Sequence, residues 1–179
     1  LVANLKVYIG DLSDLAYADA LTSLLNKGAF NYYMEGLRAQ MSEPEGNLAF
    51  AVVAFDCNNL KVINDEFGHD KGDIHLQVTA QIICETFDHS PVFRVGGDEF
   101  VAVLQGEDYE NRDALLRAFD EACAKTRSTA EDAWKKVDIA RGMAVYDPGE
   151  DNAVDDVARR ADKLMYENKW SVKGMKTER

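Results

Sequence analysis

A glycine pair between two β-rich runs constrains the fold of this chain more than any other feature. Gly96 and Gly97 lie between segments rich in valine and phenylalanine. Because both central residues of such a turn can adopt positive φ, the pattern predicts a tight hairpin over residues 91–105. Asp98 and Glu99 stand at its edge, where the missing Cβ atoms allow a ligand close to the backbone. The motif alone fits a ligand-binding turn and an ordinary acidic surface turn equally well.

The composition indicates one globular domain and narrows its partners. The chain has 179 residues, of which 46% are hydrophobic and 29% charged, enough for a full core. It has no apolar run of about 18 residues, so we expect no membrane span. The net charge of −12 disfavours long nucleic acids and anionic membranes as partners. Three cysteines without paired spacing argue against a thiolate zinc site and fit a reducing compartment.

A continuous apolar run, residues 48–55, predicts a central strand that is buried on both faces and ends at Asp56. Apolar periodicity elsewhere indicates helices and one half-exposed strand. Because helices and strands mix without strict alternation, the class is α/β or α+β, with a sheet covered by helices. The predicted helices cover 27–41, 73–87, 111–127 and a segment from 154 onward, and the further strand covers 137–145.

The acids near the predicted strand ends suggest a cation site. A charge at the end of a buried strand is unfavourable unless it is solvated or paired. If the strand before Asp56 lies beside the hairpin, then Asp56, Asp98 and Glu99 converge on one point and repel each other unless a cation lies between them. Oxygen ligands of this kind suit Mg²⁺, and such sites favour phosphoryl or nucleotidyl transfer. The alternative is a set of solvated acids, which is the commoner case for any single residue.

The segment 60–73 is dense in groups that can bind a base or a phosphate. Asn64 offers a donor and an acceptor and Asp73 offers acceptors, which together match the N1–H and N2–H₂ edge of guanine. Lys61 could meet phosphate oxygens. Taken singly, Asn64 and Asp73 could equally be helix caps, since Asp73 immediately precedes a helical face. His69 and Asp73 also have i, i+4 spacing, which is a weak metal signal.

Four separately spaced motifs together resemble the GGDEF domain of bacterial diguanylate cyclases, which condense two GTP into cyclic di-GMP. The resemblance extends over residues 19–173. The motifs are the opening D-x-L-T-G-L-x-N at 19–26 with Ser23 for glycine, the D-x-D-x-F-K-x-I-N-D-x-x-G-H-x-x-G-D pattern at 56–73, the signature itself at 96–100, and the closing A-D-x-A-L-Y-x-A-K at 161–169.

The resemblance implies an α+β sandwich with a central, mostly antiparallel five-stranded sheet flanked by helices, similar to the palm domains of nucleotide cyclases and polymerases. It implies a GGDEF domain at 19–179, and leucines at roughly helical spacing suggest that 1–18 is a lead-in helix from an absent upstream domain. The implied partners are GTP, a second copy of the chain and an upstream sensor domain, with no nucleic acid and no direct membrane contact. The implied cofactor is Mg²⁺, with Mn²⁺ as an alternative. Because a GTP consumer faces the cytoplasm, we expect a cytoplasmic domain, whether or not the parent protein is anchored in a membrane.

The resemblance also assigns roles by position. It makes Asp56 and Glu99 metal ligands, with the main-chain carbonyl of Cys57 as a third. Asp98 would assist deprotonation of the attacking 3′-hydroxyl or share the metals, and Lys61 would act beside the reacting phosphates. The implied substrate-binding residues are Asn64 and Asp73 at the guanine, His69 near the same nucleotide, Leu60, Lys169 and Lys173 around the triphosphate, and Gly96 and Gly97 where the nucleotide approaches the backbone; Arg94 would support the hairpin.

Three departures from the family pattern bear on activity. Asn58 replaces the second aspartate of the strand-end motif. Val172-Lys173 replaces Gly-Arg, so the point charge of a lysine stands where the family has the bidentate guanidinium of an arginine. The inhibitory product site of the family, R-x-x-D, falls on residues 87–90, which read Phe-Asp-His-Ser. We therefore expect no product inhibition there. Asn58 and Lys173 also support a rival reading, a catalytically silent GTP-binding module, although the intact signature opposes it. A structural dimerisation domain is the third reading.

Overall fold

The structure is a computed structural model that describes residues 14–42 and 48–177, with side chains described for 16–42 and 48–171. Most of the predicted lead-in helix over 1–18 lies outside the described residues. A short helix, α1 (Asp14–Tyr17), is the part that is described. None of the helices within the described ranges is long and apolar enough to cross a membrane.

The core of the fold is a five-stranded sheet in the order β1-β3-β4-β2-β5. The pair β1/β3 is parallel, and the pairs β3/β4, β4/β2 and β2/β5 are antiparallel. The expected α+β class with a mostly antiparallel five-stranded sheet is therefore confirmed. The strands are β1 (Leu25–Asn26), β2 (Ala51–Cys57), β3 (Val92–Arg94), β4 (Glu99–Leu104) and β5 (Ile139–Val145).

Strand β2 is the centre of the sheet, and all seven of its residues are buried. Its burial on both faces was predicted from the apolar run, and the predicted end at Asp56 lies one residue before the observed end at Cys57. Asp56 pairs with Glu99 of β4 and Ala140 of β5, and Cys57 pairs with Ile139. Because both neighbouring strands pair with β2 up to this point, Asp56 lies within the sheet, at the end of its central strand.

Helices cover both faces of the sheet. Helices α4 (His69–Thr86) and α6 (Arg112–Thr129) pack with Phe55 and Phe100 in one hydrophobic cluster, and α2 (Lys27–Met41) and α7 (Val154–Thr177) pack in another on the opposite face. Short elements complete the fold: α3 (Leu60–Phe67), α5 (Gly106–Glu110) and a 3₁₀ turn (Ala133–Lys135).

The polar segment after β2 is helical, which the sequence did not indicate. A helix was expected only from Asp73, yet α3 occupies residues 60–67 and α4 already begins at His69. Gly68 separates the two helices at φ +88°, a conformation that residues with a Cβ rarely adopt. The polar side chains remain compatible with helix because α3 buries Ile63 alone and exposes most of its surface.

Small residues on β5 bring α7 unusually close to the sheet. The predicted alternation named the larger residues of this strand, but Ala140, Gly142 and Ala144 on its other face are the buried ones. A Cβ added at Gly142 would overlap the main-chain nitrogen of Met165 and lie 2.6 Å from the carbonyl carbon of Leu164. Helix α7 thus rests on β5 backbone against backbone, and it extends from there to the acidic end of β2.

Candidate active site

Asp56 and Glu99 meet at the end of β2 and the beginning of β4. They are direct cross-strand partners, so their side chains leave the same face of the sheet, with Cβ atoms about 4.5–5.5 Å apart for such pairs. The neighbours on that face, Val52 and Ala54, belong to the cluster that packs under α7. The two acids therefore share one edge of the sheet, on the side where α7 passes.

Lys169 of α7 is the cation that lies at this edge. Its Nζ donates to Oδ1 of Asp56 at 2.6 Å, and the side chains are 24% and 11% exposed, respectively. A carboxylate this deeply buried needs a countercharge, and Lys169 supplies it. The closing motif of the sequence thereby lies next to the strand-end motif.

The main chain of Asp98 is hydrogen-bonded to the end of β2. Its carbonyl oxygen accepts a hydrogen bond from the Cys57 N–H at 2.8 Å, which ties the loop 95–98 to the end of β2. Among the described residues, the carboxylates of Asp56, Asp98 and Glu99 do not all come within 4.8 Å of one another. The convergence of all three acids on one point therefore stays a prediction; the side chain that contacts Asp56 in the structure is Lys169.

The glycine pair has a different physical role from the one predicted. Gly96 and Gly97 do not occupy the positive-φ region, so the predicted conformational reason for two glycines is wrong. At Gly96 the reason is space: an added Cβ would overlap Oε2 of Glu99 and lie 3.2 Å from its Cβ and Cδ. The main-chain N–H groups of Val95 and Gly96 donate to the Glu99 carbonyl at 3.0 and 3.3 Å. The loop therefore holds the Glu99 carboxylate against a bare Cα.

Arg94 ties this loop to the segment before β1. Its guanidinium donates to Oδ1 of Asp19 at 3.0 Å and to the carbonyl oxygen of Gly97 at 2.7 Å. Burial raises the pKa of Asp19, but hydrogen bonds from Thr22 and the Arg94 charge outweigh it, and the pKa lies below its usual value. These contacts agree with the expectation that Arg94 supports the hairpin. The Asp19 partner was missed, because the two residues are far apart in sequence.

The thiol of Cys57 points away from the acids. It contacts the hydroxyl of Thr79 on α4 at 3.2 Å, in the cluster on the opposite face. Burial, together with the nearby charges of Asp98 and Asp56, raises the pKa of this thiol to about 12 although the Thr79 contact lowers it. A neutral thiol is a poor cation ligand. The part of Cys57 available to the acidic edge is its main chain.

Asn58 places a further oxygen at this edge. It follows β2, is 6% exposed, and donates its main-chain N–H to the Asp138 carbonyl at 2.8 Å. Its Oδ1 is buried and, within the described part of the chain, has no hydrogen-bond partner. Buried acceptors are nearly always satisfied, so this atom indicates a missing donor or cation. An amide oxygen, like the carboxylate oxygens of Asp56 and Glu99, is a ligand type that suits Mg²⁺.

The predicted base-binding residues lie together on α3 and α4. Lys61 and Asn64 are one helical turn apart on α3 and so share a face. The Asn64 carboxamide lies over Gly72, where an added Cβ would overlap Oδ1 and lie 2.9 Å from Cγ. Asp73 follows directly, and it is exposed, as is Lys61. The alternative of helix caps is wrong for both Asn64 and Asp73, since the N-caps of α3 and α4 are Asn59 and Gly68.

The remaining predicted residues fall into three situations. His69 is the exposed first residue of α4. Leu60, the first residue of α3, packs its side chain partly against the core. Lys173 lies in α7, beyond the residues whose side chains the structure describes.

A second cluster, which the sequence did not suggest, lies at the opposite end of β4. Ligand atoms of Asp88, His89 and Asp108 come within 4.8 Å of one another. Asp108 is buried and accepts from the Ser90 hydroxyl at 2.6 Å. Since β4 runs from Glu99 to Leu104, this cluster is separated from the Asp56–Glu99 edge by the length of the strand. Phe87, the residue before this cluster in the chain, is fully buried in the core.

The class that the structure defines is an α+β domain with the acidic pair Asp56 and Glu99 at one edge of its sheet. Comparisons with known proteins agree. The family model described as "Diguanylate cyclase, GGDEF domain" matches residues 16–174. The diguanylate cyclase DgcS of Shewanella oneidensis is 27% identical over 162 residues, covering 90% of this chain and 52% of its own length. A diguanylate cyclase of Vibrio cholerae is 30% identical over 159 residues, covering 88% and 48%.

A solved structure shows the same fold. The GGDEF domain of DgcB from Caulobacter crescentus, crystallised with c-di-GMP, superimposes with a TM-score of 0.71 at 23% identity, covering 87% of this chain and 91% of that one. The chain belongs to the GGDEF domain family. It spans about half the length of the two curated relatives described above.

Proposed function

We propose that this chain is the catalytic domain of a diguanylate cyclase, which condenses two GTP into cyclic di-GMP and releases pyrophosphate. The observation that carries the proposal is the opposed pair of Asp56 and Glu99, with Lys169 beside it, in a chain of the GGDEF family whose signature is intact. The relatives named as diguanylate cyclases support it.

The carboxylates of Asp56 and Glu99, the Cys57 carbonyl and the orphaned Oδ1 of Asn58 would hold Mg²⁺ or Mn²⁺. When bound, the cation neutralises the charge that develops on the α-phosphate and aligns the attacking and leaving oxygens. Asp98 would accept the proton of the 3′-hydroxyl or share the cation. Its carbonyl bond to Cys57 keeps it at the edge without using its carboxylate.

The nucleotide would extend from this edge across α3. Lys61 and Lys169 would bind the triphosphate, with Leu60 and Lys173 beside it. The Asn64 carboxamide and the Asp73 carboxylate would bind the guanine edge, with His69 near the same nucleotide. The tight packing of Asn64 on Gly72 supports this assignment, because it fixes the carboxamide next to Asp73. Gly96 and Gly97 would leave room for the nucleotide beside Glu99.

One chain would bind one GTP, so the reaction requires two copies facing each other. Each 3′-hydroxyl would attack the α-phosphate of the partner's GTP, forming a phosphodiester and breaking the bond to pyrophosphate. Orientation by the pairing would supply a large part of the rate. In the full-length protein an upstream sensor would control this pairing. We further propose that product does not inhibit through residues 87–90, because Phe87 is in the core and Ser90 is bonded to Asp108.

The experiment is chromatographic product analysis with GTP and Mg²⁺ at high protein concentration. Wild type should yield cyclic di-GMP and pyrophosphate. Glu99→Gln should lose at least about 100-fold in rate, as expected for a group that stabilises transition-state charge. Glu121→Gln, an exposed position on α6, is the matched control and should behave as wild type. Absence of any cyclic dinucleotide with wild type would refute the proposed diguanylate cyclase activity.

A catalytically silent GTP-binding module is the second candidate. Asn58 favours it, because an amide at the edge supplies less negative charge than the aspartate of the family pattern. Calorimetry with GTP separates the two functions, since the silent module would bind GTP without any product appearing.

A further inference from the structure

The contact between Lys169 and Asp56 has a consequence for how ligands enter the site. Nζ lies 2.6 Å from Oδ1 of Asp56, one of the two carboxylate oxygens open to a cation. A magnesium ion binds a carboxylate oxygen at about 2.1 Å, so it could be no more than about 4.7 Å from the ammonium while both contact that oxygen. A monovalent and a divalent cation at this separation repel strongly at a partly buried site.

We infer that Lys169 is an exchangeable counter-ion: it neutralises Asp56 when no metal is bound and moves to the triphosphate when a divalent cation takes that carboxylate. The inference rests on the proposed function and adds a binding order to it. Its chemical basis is that lysine presents a single charge on a flexible four-carbon stem, which can turn without movement of its helix.

The surrounding packing favours movement of the side chain over movement of the helix. Helix α7 is held against β5 by the backbone contact at Gly142, so its position is fixed. The Lys169 side chain is 24% exposed, which leaves an open direction toward solvent and nucleotide. Among the side chains that the structure describes, Lys169 forms its ion pair with Asp56, so the released ammonium needs a new anion.

The triphosphate is that anion, and this makes metal and nucleotide binding cooperative. Without nucleotide, a divalent cation must displace Lys169 from Asp56 and leave an unpaired ammonium. With nucleotide, the ammonium is paired again. Each ligand therefore strengthens the binding of the other by the same factor, and such couplings are typically about 5–150-fold.

The test is Mn²⁺ affinity without nucleotide, read from the electron paramagnetic resonance signal of free Mn²⁺. Lys169→Met should bind Mn²⁺ at least about fivefold more tightly than wild type, because nothing has to be displaced. Lys169→Arg retains the charge and should bind as weakly as wild type. Lys163→Met removes an exposed lysine of the same helix and should also match wild type. Adding Asp56→Asn to Lys169→Met should abolish the gain.

A second measurement gives the coupling. The affinity for an α,β-methylene analogue of GTP, compared at zero and saturating Mn²⁺, should show strong coupling in wild type and reduced coupling in Lys169→Met. Equal or weaker Mn²⁺ affinity in Lys169→Met would overturn the exchange, and so would the absence of Mn²⁺ binding in both proteins while the analogue still binds. If neither Mn²⁺ nor the analogue binds wild type, the proposed function fails as well. A thermal melt of each variant checks that the fold is intact.

Discussion

Replacing Gly142 with alanine should destabilise the protein far more than a single methyl group normally does. The added Cβ would overlap the main-chain nitrogen of Met165 and the carbonyl oxygen of Ala161, and lie 2.6 Å from the carbonyl carbon of Leu164. These are backbone atoms of α7, so no side-chain rotation relieves the overlap, and the helix must move away from β5. Overpacking in a core costs about 1–3 kcal/mol, and we expect about 3 kcal/mol here.

The matched control is Gly36→Ala on α2, where an added Cβ has no neighbour within 4 Å. Because alanine is the better helix former, this variant should gain about 0.5–1 kcal/mol. Urea denaturation measures both changes. For a chain of this size, Gly142→Ala should also lower Tm by about 6–12 °C. A free energy of unfolding within about 0.5 kcal/mol of wild type would refute the close packing of α7 on β5, and with it the placement of Lys169.

Three further predictions follow from the site. Gly96→Ala should weaken Mn²⁺ binding by at least about fivefold, because the added Cβ displaces the carboxylate of Glu99. Stability should change little, since the displaced atoms are the flexible end of a side chain. Unchanged Mn²⁺ binding would contradict the contact between Gly96 and Glu99. Asp19→Asn should be less stable than wild type at neutral pH, and the difference in free energy of unfolding should shrink as pH falls below 3.8. The reason is that the pKa of Asp19 is lowered in the folded state, so the stability that its carboxylate contributes is lost once the pH falls through that lowered pKa. A difference that stays constant in urea titrations across this range would argue against the pair with Arg94. Native Cys57 should resist iodoacetamide at pH 8, because burial raises its pKa to about 12; rapid alkylation, located by peptide mass mapping, would place the thiol at the surface.

Patterns along single elements were readable from the sequence. The apolar run before Asp56 predicted a central strand, and the spaced motifs predicted the family and the five-stranded sheet. The helix over 111–127 was also predicted, with Leu115, Leu116, Phe119 and Cys123 inside; the last three are buried and Leu115 is partly buried. These features depend on local periodicity, which a sequence displays directly.

Features that depend on contacts between distant segments were not readable. The ion pair of Asp56 with Lys169 joins residues 113 positions apart, and the packing of α7 on the sheet brings them together. Gly96 looked like a conformational requirement, whereas the structure makes it a requirement for space beside Glu99. The helix over 60–67 was not predicted because it buries Ile63 alone, and one buried residue gives no apolar periodicity in the sequence.

The most direct test of the central claim is the position of a bound metal. Crystals grown with MnCl₂ and the α,β-methylene analogue of GTP should show an anomalous peak about 2.0–2.3 Å from carboxylate oxygens of both Asp56 and Glu99. A peak confined to the Asp88, His89 and Asp108 cluster, or no peak at the Asp56–Glu99 edge while the analogue is bound, would contradict the account.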